Sequence, residues 1–219
     1  MMEMFSNWAD WTPQLFRGLQ VSLRLVGLAL LFGLPLGLAL ALASSAKTRL
    51  LRYGAIVIVE IGRGAPALVV LQMVYYGLPT SGLNVNAFTS GAIALALTTG
   101  AYTSEILRAG LNAVPQREVE AGQALGMTHG DIMRFVVIPQ GVLFAVPALM
   151  GFAILIFQAT ALTFTIAVPE LLARAYRIGA ATYLYLDVLI LAGLFYLAIT
   201  IPFGWLVSWT ERRLGSHLG

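Results

Sequence analysis

Apolar and polar positions along this chain fall into long blocks. Apolar runs occupy residues 15–43, 53–76, 87–107, 135–168 and 188–209, and polar connections separate them. Each run reaches the roughly 20 residues that a helix needs to cross a bilayer. The runs are continuous, whereas strands of a membrane barrel alternate over about ten residues. The pattern predicts an all-α, polytopic membrane protein with about five transmembrane helices. Arg17, Arg24 and the step Gly33-Leu34-Pro35 interrupt the first run; Pro139, Pro147 and Gln158-Ala159-Thr160 interrupt the fourth. Such interruptions are tolerated in membrane helices because neighbours re-satisfy the freed backbone groups.

The connections set an orientation. Residues 44–52 carry Lys47, Arg49 and Arg52, whereas residues 77–86 carry no charge. Basic residues stay on the cytoplasmic side, so the first connection is expected inside and the second outside. Five spans then place the N-terminus outside, and residues 108–134 and Arg212-Arg213 inside. Arg174 and Arg177 fall outside as an exception, partly offset by Glu170 and Asp187. Trp8, Trp11, Trp205 and Trp209 suit the two interfacial belts.

Composition agrees. The chain has 219 residues, 59% of them hydrophobic and 11% charged, with a mean hydropathy of +0.84. A soluble domain averages about 25% charged residues, so this chain cannot cover a soluble particle with polar surface. The net charge of +3 comes from scattered basic residues, which argues for the lipid bilayer as partner and against nucleic acid. The chain has no cysteine, which excludes disulfides and thiolate chemistry. Residues 1–12 lack the basic start and cleavage site of a signal peptide, so the first run is expected to be retained. No linker or internal repeat divides residues 1–219, read as a single transmembrane domain. His129 and His217 share no metal-ligand spacing, so no metal site is expected.

The polar loop at about 111–139 is where function is expected. Val114-Pro115 can open a helix, since Pro is favoured in the first turn. Glu118 and Glu120 then sit in early turns, where the helix dipole favours acids. Ala121, Gly122, Ala124 and Gly126 leave a face without bulk, which another protein could approach closely. Gly126 permits a sharp turn, and Thr128 or Asp131 can cap the next helix. Read without further context, this is either a docking helix or a solvated linker.

The order Glu120-Ala121-Gly122, then Gly126, then Val136-Val137-Ile138-Pro139 resembles the EAA loop of ABC importer permeases. The resemblance extends over most of the chain. Residues 59–79, reading VEIGRGAPALVVLQMVYYGLP, look like the second span of the polar amino acid (histidine/glutamine-type) permeases. Residues 100–108 and 210–214 resemble that group's third span and C-terminus. The resemblance implies a permease subunit of a bacterial-type cytoplasmic (inner) membrane that is not itself an enzyme and has no catalytic residues. It implies transport of amino acids or related small polar solutes by alternating access. Expected partners are two ATP-binding cassette ATPase subunits, a second permease chain (the same or different) and an extracytoplasmic solute-binding protein. The coupling loop would comprise Glu120, Ala121, Gly122, Gly126 and Pro139. ATP and Mg would belong to the ATPases, because the only lysine here, Lys47, has no glycine-rich approach and a phosphate-binding loop needs one.

The candidate path lining is Ala65, Val70, Gln158, Ala159 and Thr160, and departures from that group fall at Ala65, Val70, Gln158, Ala159 and the neighbouring Ala161. The group often has Thr at position 65 and Gln at 70, and reads Lys-Asp-Thr-Ser-Leu over 158–162. At Gly122 it usually has Ala. Ala159 in place of a carboxylate removes a group that would suit a cationic ligand. Either the ligand is less charged, or the partner permease holds it, or these positions have drifted in a lining that never touches substrate. Glu60 with Arg63, and Glu105 with Arg108, are i,i+3 pairs and candidates for structural or gating roles. Two other classes are open at this level. A stand-alone ion-coupled carrier would be expected to show an inverted repeat and a deep acid on its path. A non-transporting scaffold would recruit a cytoplasmic protein through the loop.

Overall fold

The computed structural model describes residues 7–215, and among these there is helix and turn but no strand. Residues 1–6 and His217 lie outside the described residues. The helices are α1 (Trp8–Ser44), α2 (Arg49–Gly64), α3 (Ala67–Thr80), α4 (Ala87–Asn112), α5 (Gln116–Ala124), α6 (His129–Ile132), α7 (Ile138–Ala159), α8 (Leu171–Thr182) and α9 (Tyr185–Gly215). A π turn (Met133–Val137) joins α6 to α7, and a 3₁₀ segment (Thr160–Ile166) extends α7.

α1 is 37 residues long, about 55 Å at 1.5 Å per residue. Its buried stripe runs Leu15, Gly18, Leu19, Ser22, Leu25, Ala29, Gly33, Gly37 and Ala41, at the three- and four-residue steps of one helix face. The second half of the stripe is made of small residues because α4 lies against it. A Cβ added to Gly33 would lie 2.5 Å from Thr99 Cβ, and one added to Gly37 would collide with Thr103 Oγ1. α4 answers with Gly100, where a Cβ would lie 2.6 Å from Leu36 Cδ2. Side-chain hydroxyls buried in this seam turn back on their own helix: Thr103 Oγ1 donates to Thr99 O and Ser104 Oγ to Ala101 O, both at 2.7 Å.

α4 corresponds to the apolar run at 87–107 and is the most enclosed helix, with α1, α2, α3 and α7 packed around it. Enclosure explains its composition. A helix surrounded by protein needs small and hydroxylated residues, not lipid-facing ones. Among the described residues three helical stretches are long and apolar enough to cross a membrane: Trp8–Ser44, His129–Ile166 and Tyr185–Leu214. The bent pair α2 and α3 makes a fourth if counted as one span.

That bent pair corrects one expectation. A single run was read at 53–76, but the chain breaks there by 102°. Ala65 is extended (φ −81°, ψ 132°) and Pro66 caps α3. A residue before proline is pushed out of the helical region by the pyrrolidine ring, so the helix ends at Gly64. A second correction concerns residues 169–187, read as a mixed connection. They contain α8, a 12-residue helix whose N-cap is Glu170.

Three apolar clusters hold the bundle. One joins α1, α8 and α9 through Leu15, Leu19, Leu171 and Val188. A second joins α1, α3, α4 and α7 through Leu25, Leu71, Leu95 and Ile156. A third joins the ends of α1 and α4 to the loop through Ala41, Leu107, Val114 and Ile132. Phe32, Ile61, Met73 and Trp205 remain largely exposed on the outside of the bundle, as expected where lipid or another membrane chain covers it.

The α1–α4 seam yields a prediction. Gly33→Ala and Gly37→Ala are each expected to destabilise the fold by about 1–3 kcal/mol through overpacking. Gly54→Ala, with nothing within 4 Å of the added methyl, should leave stability unchanged or raise it slightly. Apparent melting temperatures in one detergent compare the three.

Candidate functional site

The loop between α4 and α7 has two faces. Pro115 precedes α5 with φ −59° and ψ 134°, and Glu118 lies in the first turn. Gly122 is the one buried residue of α5. A Cβ there would lie 3.0 Å from Ile132 Cγ1 and 3.5 Å from Met127 Sδ, so glycine lets α5 sit close on the third cluster. Val119 and Met127 pack on the same cluster. Glu120, Ala121, Gln123, Ala124 and Leu125 all face outward. Leu125 is 82% exposed, and the sequence reading passed over it. The signal was present, since it is an apolar residue placed directly before a turn glycine.

Gly126 adopts φ +75°, a conformation open to glycine at little cost. Thr128 then caps α6 in a capping box: Asp131 N donates to Thr128 Oγ1 at 3.2 Å, and Thr128 N donates to Asp131 Oδ2 at 3.3 Å. The π turn at Met133–Val137 lies just before Pro139 in the first turn of α7. Proline lacks an N–H and its ring crowds the carbonyl four residues earlier, which accounts for the widened turn there. Glu120 and Ala121 therefore face outward and Gly122 inward on one short, capped unit, while Pro139 lies beyond it in α7.

The two charged pairs form one cluster. Arg108 donates to Glu105 at 3.0 Å from Nε and 2.5 Å from Nη2. Arg63 Nη1 lies 3.8 Å from both Glu60 Oε1 and Glu105 Oε2. Tyr102 OH donates to Arg63 O at 3.1 Å, and the Arg63 guanidinium lies 5.9 Å from the Tyr102 ring centre. Tyr102 in turn stacks on Phe152 of α7 at 5.6 Å. Arg63 thus ties the end of α2 to α4 beside the 102° break. Each exposed pair contributes about 0–1 kcal/mol, so the cluster is better suited to being exchanged than to holding the fold.

The candidate path residues spread over three environments. Ala65 lies in the break, half-buried. Val70 and Ala159 are half-buried against the second cluster. Gln158 is exposed, whereas Thr160 is fully buried and donates to Phe157 O at 2.7 Å. A polar link not anticipated from sequence joins the same region: Gln72 Nε2 of α3 donates to Thr165 Oγ1 at 3.1 Å. Among the described residues no group of three metal-ligating side chains occurs.

Residues 33–216 match the family described as binding-protein-dependent transport system inner membrane component. The chain belongs to this permease family. The arginine transport system permease protein ArtQ of Bacillus subtilis is 34% identical, over 97% of this permease and 98% of that protein. The L-cystine transport system permease protein TcyB of the same organism is 38% identical, over 77% and 72%. The crystal structure of an amino acid ABC transporter with histidines superposes with a TM-score of 0.88 at 37% identity, covering 95% of the permease and 98% of that chain. The permease is the multi-pass membrane subunit of a binding-protein-dependent transport system, and transport is its role.

At the end of the permease away from the loop, Glu170 is fully buried. Its carboxylate accepts from Leu172 N at 2.9 Å, Ala173 N at 2.7 Å, Tyr196 OH at 3.3 Å and Ser22 Oγ at 3.4 Å. It therefore caps α8 and ties it to α1 and α9. Sequence reasoning took it as a surface charge, because burial of an acid depends on partners distant in sequence. Burial pushes the Glu170 carboxyl above the usual carboxylate range, outweighing the amide and hydroxyl donors that pull the other way. A carboxyl raised on folding stabilises the fold while it is protonated. That contribution is complete below the ordinary glutamate range and is lost as pH rises through the elevated value. The apparent melting temperature is expected to fall over that window in the native permease, and Glu170→Gln, which keeps a capping oxygen, should flatten the slope.

Proposed function

We propose that the permease is one half of an ATP-driven importer for small polar solutes of the amino acid class. Two separate ATPase subunits, holding ATP and Mg, dock on the coupling loops of two permease chains. An extracytoplasmic solute-binding protein delivers the solute at the opposite end. The observation that carries this reading is the two-faced loop. Its inner face is locked to α4 and α7 through Gly122, Val119 and Ile132, and its outer face presents Glu120, Ala121 and an unshielded Leu125. The capping box and the turn at Gly126 hold that outer face as one small, rigid surface for another protein to meet.

The mechanism follows from the connections. When nucleotide draws the two ATPases together, the loops move with them, and the third cluster passes the movement to the ends of α1, α4 and α7. The Glu60–Arg63–Glu105–Arg108 cluster acts as a gate beside the break in the second span. Arg63 exchanges partners as α2 moves on α4, which gives two discrete states for the nucleotide to select between.

The amino acid class is supported by relatives whose names specify arginine and L-cystine. The candidate lining adds a restriction. Ala65, Val70 and Ala159 are uncharged, and Gln72, Gln158 and Thr165 supply neutral polar groups. This suits a solute without net charge.

Purification from mild detergent tests the docking. The native chain is expected to bring down an ATPase that hydrolyses ATP in the same eluate. Glu120→Ala with Gly126→Leu should lose it, and Leu125→Asp alone should weaken capture on the order of tenfold, because docking would have to bury the new charge. An absence of any ATPase with the folded native chain would instead favour the stand-alone carrier.

A further inference from the structure

α8, the 3₁₀ segment and the start of α9 line an open, shallow cavity of about 350 Å³ at the end of the bundle opposite the coupling loop. Three of its walls are aromatic: Phe164, Tyr176 and Tyr185. Phe164 and Tyr176 lie 4.7 Å apart between ring centres, and Tyr176 and Tyr185 meet edge to face at 5.9 Å. Arg177 is the only charged side chain in the lining, and alanines complete it. The volume falls in the range of about 300–1,000 Å³ typical of small-molecule sites.

The walls are held from behind. A Cβ on Gly179 would lie 2.6 Å from Tyr185 Cδ1, so the Tyr185 ring rests directly on the α8 backbone. α8 is itself pinned to α1, since a Cβ on Gly18 would lie 2.9 Å from Glu170 O and from Leu171 Cα. Ala167 (φ 62°) and Tyr183 (φ 61°) take left-handed conformations at the two ends of the segment that builds the cavity. The aromatic cluster is thus held from behind, with exposed Arg177 as the one cation in its lining.

We infer that this cavity is a vestibule site for a zwitterionic amino acid, occupied between release from the binding protein and entry into the path. The guanidinium of Arg177 offers a planar fork to the α-carboxylate. The α-ammonium finds the outward face of Tyr176 or Phe164, since their inner faces are turned toward each other 4.7 Å apart. No acidic side chain lines the cavity, so the positive end of the ligand is recognised by rings alone. The inference rests on the amino acid importer reading proposed above.

The test uses the permease in lipid nanodiscs and, in parallel, the importer reassembled with its ATPase and binding protein in proteoliposomes. The probes are L-glutamine, L-histidine and L-cystine, with the methyl ester and N-acetyl forms of each, and the readout in nanodiscs is saturation-transfer NMR. Arg177→Gln is expected to weaken binding by about tenfold, the loss of one charge-assisted hydrogen bond, and to erase the preference for the free acid over its ester. Tyr176→Leu should erase the preference for the free amine over its N-acetyl form. Gly54→Ala, whose added methyl meets nothing within 4 Å, should change neither preference. In proteoliposomes the two vestibule variants should raise the KM for uptake while leaving capture of the binding protein intact. Unchanged affinity and KM in both variants, with uptake by the native importer preserved, overturns the vestibule alone. Loss of binding-protein capture without a change in solute affinity also overturns it and assigns the cavity to that protein. No uptake of any of the three amino acids by the assembled native importer removes the amino acid reading, and the vestibule falls with it.

Discussion

In a bilayer an apolar side chain gains nothing by leaving lipid for protein, so two helices stay together only where their backbones come close. In this permease that closeness is concentrated in one seam. Gly33, Gly37 and Ala41 of α1 meet Thr99, Gly100 and Thr103 of α4 with no room for an added methyl at the two α1 glycines. The seam fixes α4 at the centre of the bundle, and α4 carries Tyr102, Glu105 and Arg108 before leading into the loop. Position of the charged cluster and position of the loop are therefore both set by small residues that touch neither.

The same helix links the two ends of the transport cycle. At one end Leu107 and Leu111 of α4 join the cluster that seats α5 and α6. Higher up, Tyr102 holds the carbonyl of Arg63 next to the break in the second span. One continuous helix, rather than a chain of side chains, thus connects the loop to the break. The second-span break supplies the complementary compliance. Gly64, Ala65 and Pro66 separate two helices that need not move together.

Much of the loop was legible because its determinants are local. Pro115, Gly126 and the Thr128–Asp131 cap act within a few residues of themselves, and each takes the role its chemistry suggests. The charged pairs were legible one at a time, since i,i+3 spacing is local, but their union through Arg63 and Glu105 is tertiary. The break at Pro66 was hidden by the apolar residues on both sides, which read as one run. α8 was hidden because its N-cap is a buried glutamate satisfied by Ser22 and Tyr196, residues far away in sequence. The Gln72–Thr165 link spans 93 residues and carries no sequence period. The central helix is only moderately apolar for the opposite reason: it is so well enclosed that it has little need of a lipid-facing side.

The lack of charge at Ala65, Val70 and Ala159 has an electrical consequence. Moving one elementary charge across a membrane potential of 100 mV involves about 2.3 kcal/mol. A solute with balanced charges moves no net charge past these positions, so its passage neither draws on the membrane voltage nor works against it.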